Sequence, residues 1–250
     1  WQDCASRHHF SRLRSMFDNA LAERPAEQLA AEVLEQTLDG LAADAFHPLI
    51  RLGYALEAQH TAEIAAALAY MVSTYTPMPL EPTHLSAFGF DSLEGRLKQQ
   101  CDMPTAPATR FGDGLRDLVA NGQYPVGTAH DLNECAYAAL SVYRSTRNFF
   151  ALHMVTATWA ARICSRVLAT DHQARLLAAL TGALLAAHQI VGAPRFDAEA
   201  PIAVSQPDTE HLYKYLYVCR QESKLGNDPR YLTELQAFHE ANMTPAWLEF

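Results

Sequence analysis

The chain has 250 residues with 19 Lys and Arg against 28 Asp and Glu, a formal net charge of -9, and 49% of its residues are hydrophobic. An acidic balance spread along the chain repels phosphate backbones and excludes a nucleic-acid partner. No apolar run approaches the roughly 18 residues needed to span a bilayer, which excludes a membrane-spanning helix. Ala and Leu dominate while runs of Val, Ile and Thr are few, so the fold class expected is all-α. The length and apolar content suit a single multi-helix domain over 1–250 with a sizeable core.

In chain order, Leu29, Val33, Leu34, Leu38 and Leu41 recur every three or four positions and predict an amphipathic helix from Pro25 to Leu41. A longer pattern follows Asp44 and predicts one helix from about Phe46 to Tyr75, with Pro48 in its first turn, where a missing N–H costs nothing. From Thr76 to Val126 the chain turns rich in Pro and Gly, and 76–126 reads as an irregular insert of loops and short helices, the kind of segment that forms a lid or a binding wall. Helices resume at His130–Arg147, Phe149–Leu168 and Asp171–Val191, with Asp131 and Asp171 at positions suited to N-caps. A polar link over 195–207 leads to a helix opened by Asp208 or Thr209 and closed by Gly226 and Pro229, and Tyr231–Asn242 forms the last one. The five cysteines form no C-x-x-C pair and sit mostly in apolar helical settings, which fits reduced core thiols in a cytoplasmic protein.

Eleven histidines occur. His8, His9, His84, His172 and His239 lie in polar or terminal surroundings, and His60 lies beyond the apolar face of its helix; all six read as solvated. His47, His153 and His211 differ, each being embedded in apolar sequence on a different predicted helix. A buried imidazole needs a partner for each ring nitrogen, and one such residue is usually a satisfied core histidine. Three on separate helices are more economically explained by convergence on one metal-binding site, since neutral imidazole is the commonest protein metal ligand.

Lys214 follows His211 at i+3 and projects from the same helix face. Either its stem covers the neighbouring tyrosines while it pairs with Glu210, or it is a desolvated amine. A neutral amine there takes up carbon dioxide to give an anionic carbamate, the oxygen anion that neutral histidines lack. Thr156, at i+3 from His153, either orients a ligand or bonds its own helix backbone. Tyr213, Tyr215, Tyr217, Phe149, Phe150 and Trp159 either line an aromatic pocket or pack in the core.

The segments Phe46-His47-Pro48-Leu49-Ile50-Arg51, Glu63 to Tyr70, Leu152-His153-Met154-Val155-Thr156-Ala157 and His211-Leu212-Tyr213-Lys214 resemble, in order and spacing, the questin oxidase-like family from about Gln28 to Tyr231. The family takes its name from fungal enzymes that open anthraquinone rings oxidatively, and one branch comprises non-haem iron oxygenases. The resemblance implies metal ligation by His47, His153 and His211, with Lys214 as a carboxylated lysine. It further implies Fe(II), dioxygen as co-substrate, NADPH as a candidate reductant, and an aromatic or polyketide-like small molecule as substrate. A further family histidine, in an Asn-His-x-Pro-Met type segment, has no counterpart before His47; either that segment lies upstream of Trp1 or the site has one ligand fewer. Two other readings stand beside this one. Three histidines and a water also make a catalytic zinc site for a hydrolase or lyase. Alternatively the histidines are core residues of a helical binding protein, in which case they lie more than about 8 Å apart, far beyond first-shell distances. Nothing in the residues fixes an oligomeric state.

Overall fold

The computed structural model describes residues 5–79, 92–103, 105–126, 129–196, 200, 209–241 and 243–244. These residues form eleven α-helices and no strand: α1 Phe10–Glu23, α2 Ala26–Thr37, α3 His47–Glu57, α4 Thr61–Ser73, α5 Leu93–Cys101, α6 Phe111–Ala120, α7 Leu132–Thr146, α8 Phe149–Ser165, α9 Thr170–Ile190, α10 Thr209–Leu225 and α11 Arg230–Glu240. The fold is all-α, as expected. Cys4, His84 and Asp208 lie outside the described residues, as does most of the link over 195–207.

The core is built around α8, whose run from Ala151 to Ala161 is buried without interruption. It packs most extensively on α3 and α7, with α9 and α10 completing its surround. Small residues set how closely these helices approach. A Cβ built on Gly53 of α3 would lie 2.6 Å from Ala160 of α8, so the two backbones nearly touch there. Asn148 caps α8 through the amides of Phe150 and Ala151, and Asp131 caps α7 through those of Asn133 and Glu134, satisfying donors that helix ends otherwise leave open.

Three expectations are corrected. The apolar pattern from Phe46 to Tyr75 is two helices, not one. The chain breaks at Ala58-Gln59-His60, where Gln59 turns left-handed (φ 51°) and His60 Nδ1 accepts from the Glu63 amide to cap α4. The apolar phase carries across this break because α3 and α4 bury faces against one core, so periodicity alone cannot register it. Asp171 does not cap α9; Ala169 holds that position and Asp171 sits inside the first turn, where its charge favours the helix dipole. Helix α1, ahead of Pro25, was not expected; only Leu13 and Phe17 of it are buried, too few positions to stand out in the sequence.

In the stretch 76–126, residues 80–91 and Pro104 lie outside the described residues; the described part includes α5 and α6, packed on α7 and α9. Cys135, Cys164 and Cys219 are buried free thiols, and burial pushes Cys135 and Cys164 up to about 12, which keeps them protonated and inert. No described helix is long and apolar enough to cross a membrane.

Candidate metal centre

His47, His153 and His211 stand in the first turns of α3, α8 and α10, or just beyond. The three helices run in the same direction. His47 meets His153 with ring centroids 4.6 Å apart, and one to two turns on Gly53 meets Ala160. His153 meets His211 at 5.1 Å, and further along Arg162 bonds Glu222 at 3.1 Å. Three helix N-termini therefore converge on the histidines. Each brings a partial positive charge, so the locality disfavours added protons on the imidazoles and favours an anion beside them.

The hydrogen bonds fix which ring nitrogens are available. His47 Nδ1 lies 2.6 Å from the Asp44 carbonyl oxygen, and His153 Nδ1 lies 2.8 Å from that of Phe149. A carbonyl oxygen only accepts, so both Nδ1 atoms carry hydrogen and each neutral ring presents a lone pair at Nε2. The two Nε2 atoms are 3.1 Å apart. Two lone pairs at that distance repel unless a proton or a cation lies between them. His153 does not supply the proton at neutral pH, since burial, followed by the neighbouring His47 and His211, brings its pKa from 6.5 down to about 4. A metal ion answers the geometry: nitrogens about 2.0–2.1 Å from one ion stand about 3.0–3.4 Å apart in tetrahedral or octahedral coordination. One nitrogen from each of the three histidines lies within 4.8 Å of the others, close enough for the three to hold one ion and well inside the roughly 8 Å expected of unconnected core histidines.

Residues 1–111 match the family model described as Questin oxidase-like. The match supports a questin oxidase-like assignment. No curated protein and no solved structure matches the chain. The stretch matched to the questin oxidase-like family contains His47; His153 and His211 lie beyond it and are joined to the site by the fold.

Lys214 sits one turn after His211, and its ammonium pairs with the Glu210 carboxylate. Its side chain is one-third exposed, and it lines a cavity of about 550 Å³ that also reaches His47. The cavity follows one face of α3, where Arg51 and Tyr54 succeed His47 at helical spacing, and it is completed by Tyr70 of α4 and Glu210 of α10. The Tyr54 hydroxyl donates to the Lys214 carbonyl at 3.1 Å, and burial, then Glu57, raises its pKa far above the ordinary range, so it stays a donor. Arg51 bonds one oxygen of Glu63 through Nε and Nη2 at 3.2 and 2.8 Å.

Of the two arrangements open to the six aromatic residues, lining this cavity is taken by none of them. Phe149 instead lies against His153 and His211, centroids 4.7 and 4.8 Å away. Phe150 packs on Phe111, Tyr215 is buried against Glu234, Tyr217 tilts on Tyr54, Trp159 donates to Glu57, and Tyr213 is exposed. The cavity's aromatic lining is Tyr54 and Tyr70. Tyr54 was findable, since it falls two turns after His47 on the same face. The Thr156 hydroxyl donates to the carbonyls of Leu152 and His153 in its own helix, the second of the two arrangements expected for it. His188, not singled out from the sequence, is fully buried, with Nδ1 on Gln100 and Nε2 on the Pro194 carbonyl, a satisfied core histidine.

The backbone entering α3 is strained. Asp44, Ala45 and Phe46 are consecutive left-handed residues with φ of 48°, 55° and 66°, none of them glycine. Such residues cost on the order of 1–2 kcal/mol each. Full burial of the Phe46 ring returns about 1.5–3 kcal/mol, enough for one or two of the three. Other contacts must hold the rest, among them the packing of buried Ala43 and Ala45 and the bonds of the Asp44 side chain, to Arg7 at 2.7 Å and to the Tyr70 hydroxyl.

The low pKa of His153 has a consequence for stability. The unfolded chain takes up a proton near pH 6.5 while the folded metal-free protein resists until about pH 4. The folded state is therefore at full advantage above pH 6.5 and loses it as pH falls through that window, by on the order of 3 kcal/mol. Urea midpoints of metal-free protein between pH 7 and 4.5 should fall more steeply for the parent than for His153→Asn. Parallel curves would show that His153 is not held neutral.

Proposed function

We propose that the protein is a metal-dependent oxygenase in which His47, His153 and His211 hold iron(II), Lys214 joins them as a carbamate, and an electron-rich aromatic small molecule occupies the cavity along α3. The observation that carries this reading is the 3.1 Å approach of two imidazole Nε2 atoms whose Nδ1 atoms are both committed to carbonyls. The questin oxidase-like match favours oxygen chemistry over zinc hydrolysis on the same ligands. Iron(II) suits imidazole and carboxylate-type oxygen and leaves positions for dioxygen.

The chain's own groups supply the rest. The converging ends of α3, α8 and α10 favour a phenolate or enolate over its neutral form, which makes the substrate electron-rich where oxygen must react. Phe149 packs its ring against His153 and His211. The Tyr54 hydroxyl holds the α10 backbone at Lys214 against α3. For carboxylation, the Lys214 ammonium gives up one proton to become the amine, its nitrogen bonds carbon dioxide, and a second proton leaves to solvent to give the carbamate, exchanging the Glu210 ion pair for an anion that the same helix ends stabilise.

Protein loaded anaerobically with iron(II) is expected to retain about one equivalent after desalting and to consume oxygen with a phenolic substrate. Retention below about a tenth of an equivalent of any transition metal would sink the metal centre. Zinc binding with no oxygen uptake would move the protein to the hydrolase or lyase class. Lys214→Ala should keep its helical content, lose metal, and lose a carbamate resonance seen with carbon-13 bicarbonate. Full metal content and activity in Lys214→Ala would overturn the carbamate.

A further inference from the structure

The left-handed turn before α3 does something at the site beyond linking two helices. Asp44 faces two ways. Its carbonyl accepts from His47 Nδ1 at 2.6 Å, while its carboxylate accepts from the Tyr70 hydroxyl of α4 and from Arg7 at 2.7 Å. Ala45 contributes only a buried methyl, and Phe46 is anchored at the other end of the turn, buried with its ring 5.8 Å from that of Phe111. The direction of the Asp44 carbonyl is thus set between one polar anchor and one apolar anchor. If the carbonyl turned away, His47 would lose the acceptor that keeps hydrogen on Nδ1, and Nε2 would be free to carry it instead. An Nε2–H cannot ligate a metal and would point a donor at His153.

We propose that Asp44 and Tyr70, with Arg7 in support, are positioning residues that clamp the strained turn so that His47 is held in its Nδ1–H tautomer with Nε2 directed at the centre. The inference rests on the reading of the triad as a metal centre, but the tautomer itself is a property of the metal-free protein. Placing an aligned carbonyl behind a ligating imidazole commonly changes metal affinity by about 10- to 100-fold. Arg7 is mostly exposed, and an exposed pair contributes little, so Tyr70 is the decisive partner.

The test uses full-length protein with nitrogen-15 histidine. The metal-free parent is expected to show His47 as the Nδ1–H tautomer. Tyr70→Phe and Asp44→Ala should show a mixture of tautomers, while Asp44→Asn, which keeps an acceptor and tolerates a left-handed backbone, should restore the parent pattern. Tyr75→Phe removes a Tyr–Asp hydrogen bond of the same kind, to Asp39 at 2.7 Å, and should leave His47 unchanged. In chelator competition with cobalt(II), Tyr70→Phe should bind at least about 10-fold more weakly than the parent. A parent-like tautomer and parent-like affinity in Tyr70→Phe would overturn the clamp, even if Asp44→Ala failed to fold. A parent that binds no cobalt would overturn the metal centre instead, and the tautomer comparison would still decide the clamp.

Discussion

Replacing His153 by alanine is expected to weaken metal binding by more than about 100-fold, beyond what the loss of an outer-sphere partner does, while helical content is kept. His153 is the most enclosed of the three histidines, 1% exposed, and its Nδ1 is already tied to its own helix at Phe149. Burial and the Phe149 carbonyl together hold the ring in this orientation. The stability readout should separate cleanly from the structural one. At metal concentrations near 1,000 times the parent's dissociation constant the parent gains about 4 kcal/mol from mass action, and a variant bound more than about 100-fold more weakly gains less than about 1.4 kcal/mol. Metal-free parent and variant should differ far less, because the alanine also removes an imidazole that had to be desolvated. A variant that keeps the parent's stoichiometry and metal-induced stabilisation would mean that the ion sits elsewhere.

The second large effect lies away from the site. Glu234 of α11 is 2% exposed and accepts from Arg144 Nε at 3.1 Å, from Arg147 Nη1 and Nη2 at 2.5 and 3.0 Å, and from the Tyr215 hydroxyl at 2.7 Å. Burial by itself would raise its carboxyl, but the bonds from Arg147 and Tyr215 outweigh burial and hold it below the ordinary value. One carboxylate thereby joins the C-terminal part of α7, α10 and α11. Glu234→Ala leaves buried guanidinium charge without its counter-ion, and the expected loss is about 3–5 kcal/mol. In a chain of this size that lowers the melting temperature by roughly 10 °C. A loss below about 1 kcal/mol in urea unfolding would show that the arginines find other anions. Replacing the whole group with apolar residues of equal volume would be a different experiment, and a neutral result there would be unsurprising.

Much of this was legible in the residues. His47, His153 and His211 stood out because a polar ring inside an apolar helical run has to find a partner, and the structure brings the three together. Lys214 was legible as a two-sided case, and its pairing with Glu210 is the plainer side, while its place beside His47 in the cavity leaves the chemical one open to test. What could not be read was direction. Sequence spacing gives the helix face on which Arg51 and Tyr54 lie but not that this face, rather than the aromatic face of α10, borders the cavity. Tyr70 was out of reach because it meets Asp44 across 26 positions. The strained turn was hidden for another reason: Asp-Ala-Phe carries no glycine to announce positive φ, and its conformation is imposed by contacts made elsewhere.

The near-contact of Gly53 with Ala160 has a mechanical meaning. It is a fulcrum between two levers. His47 lies six residues up α3 and His153 seven up α8, arms of about 9–10 Å at 1.5 Å per residue. Close approach at that point limits how the two helices can shift against each other, so the spacing of the two imidazoles depends on a contact about 10 Å away. The spacing of the histidines is influenced from a place remote from them, by the absence of a single methyl group.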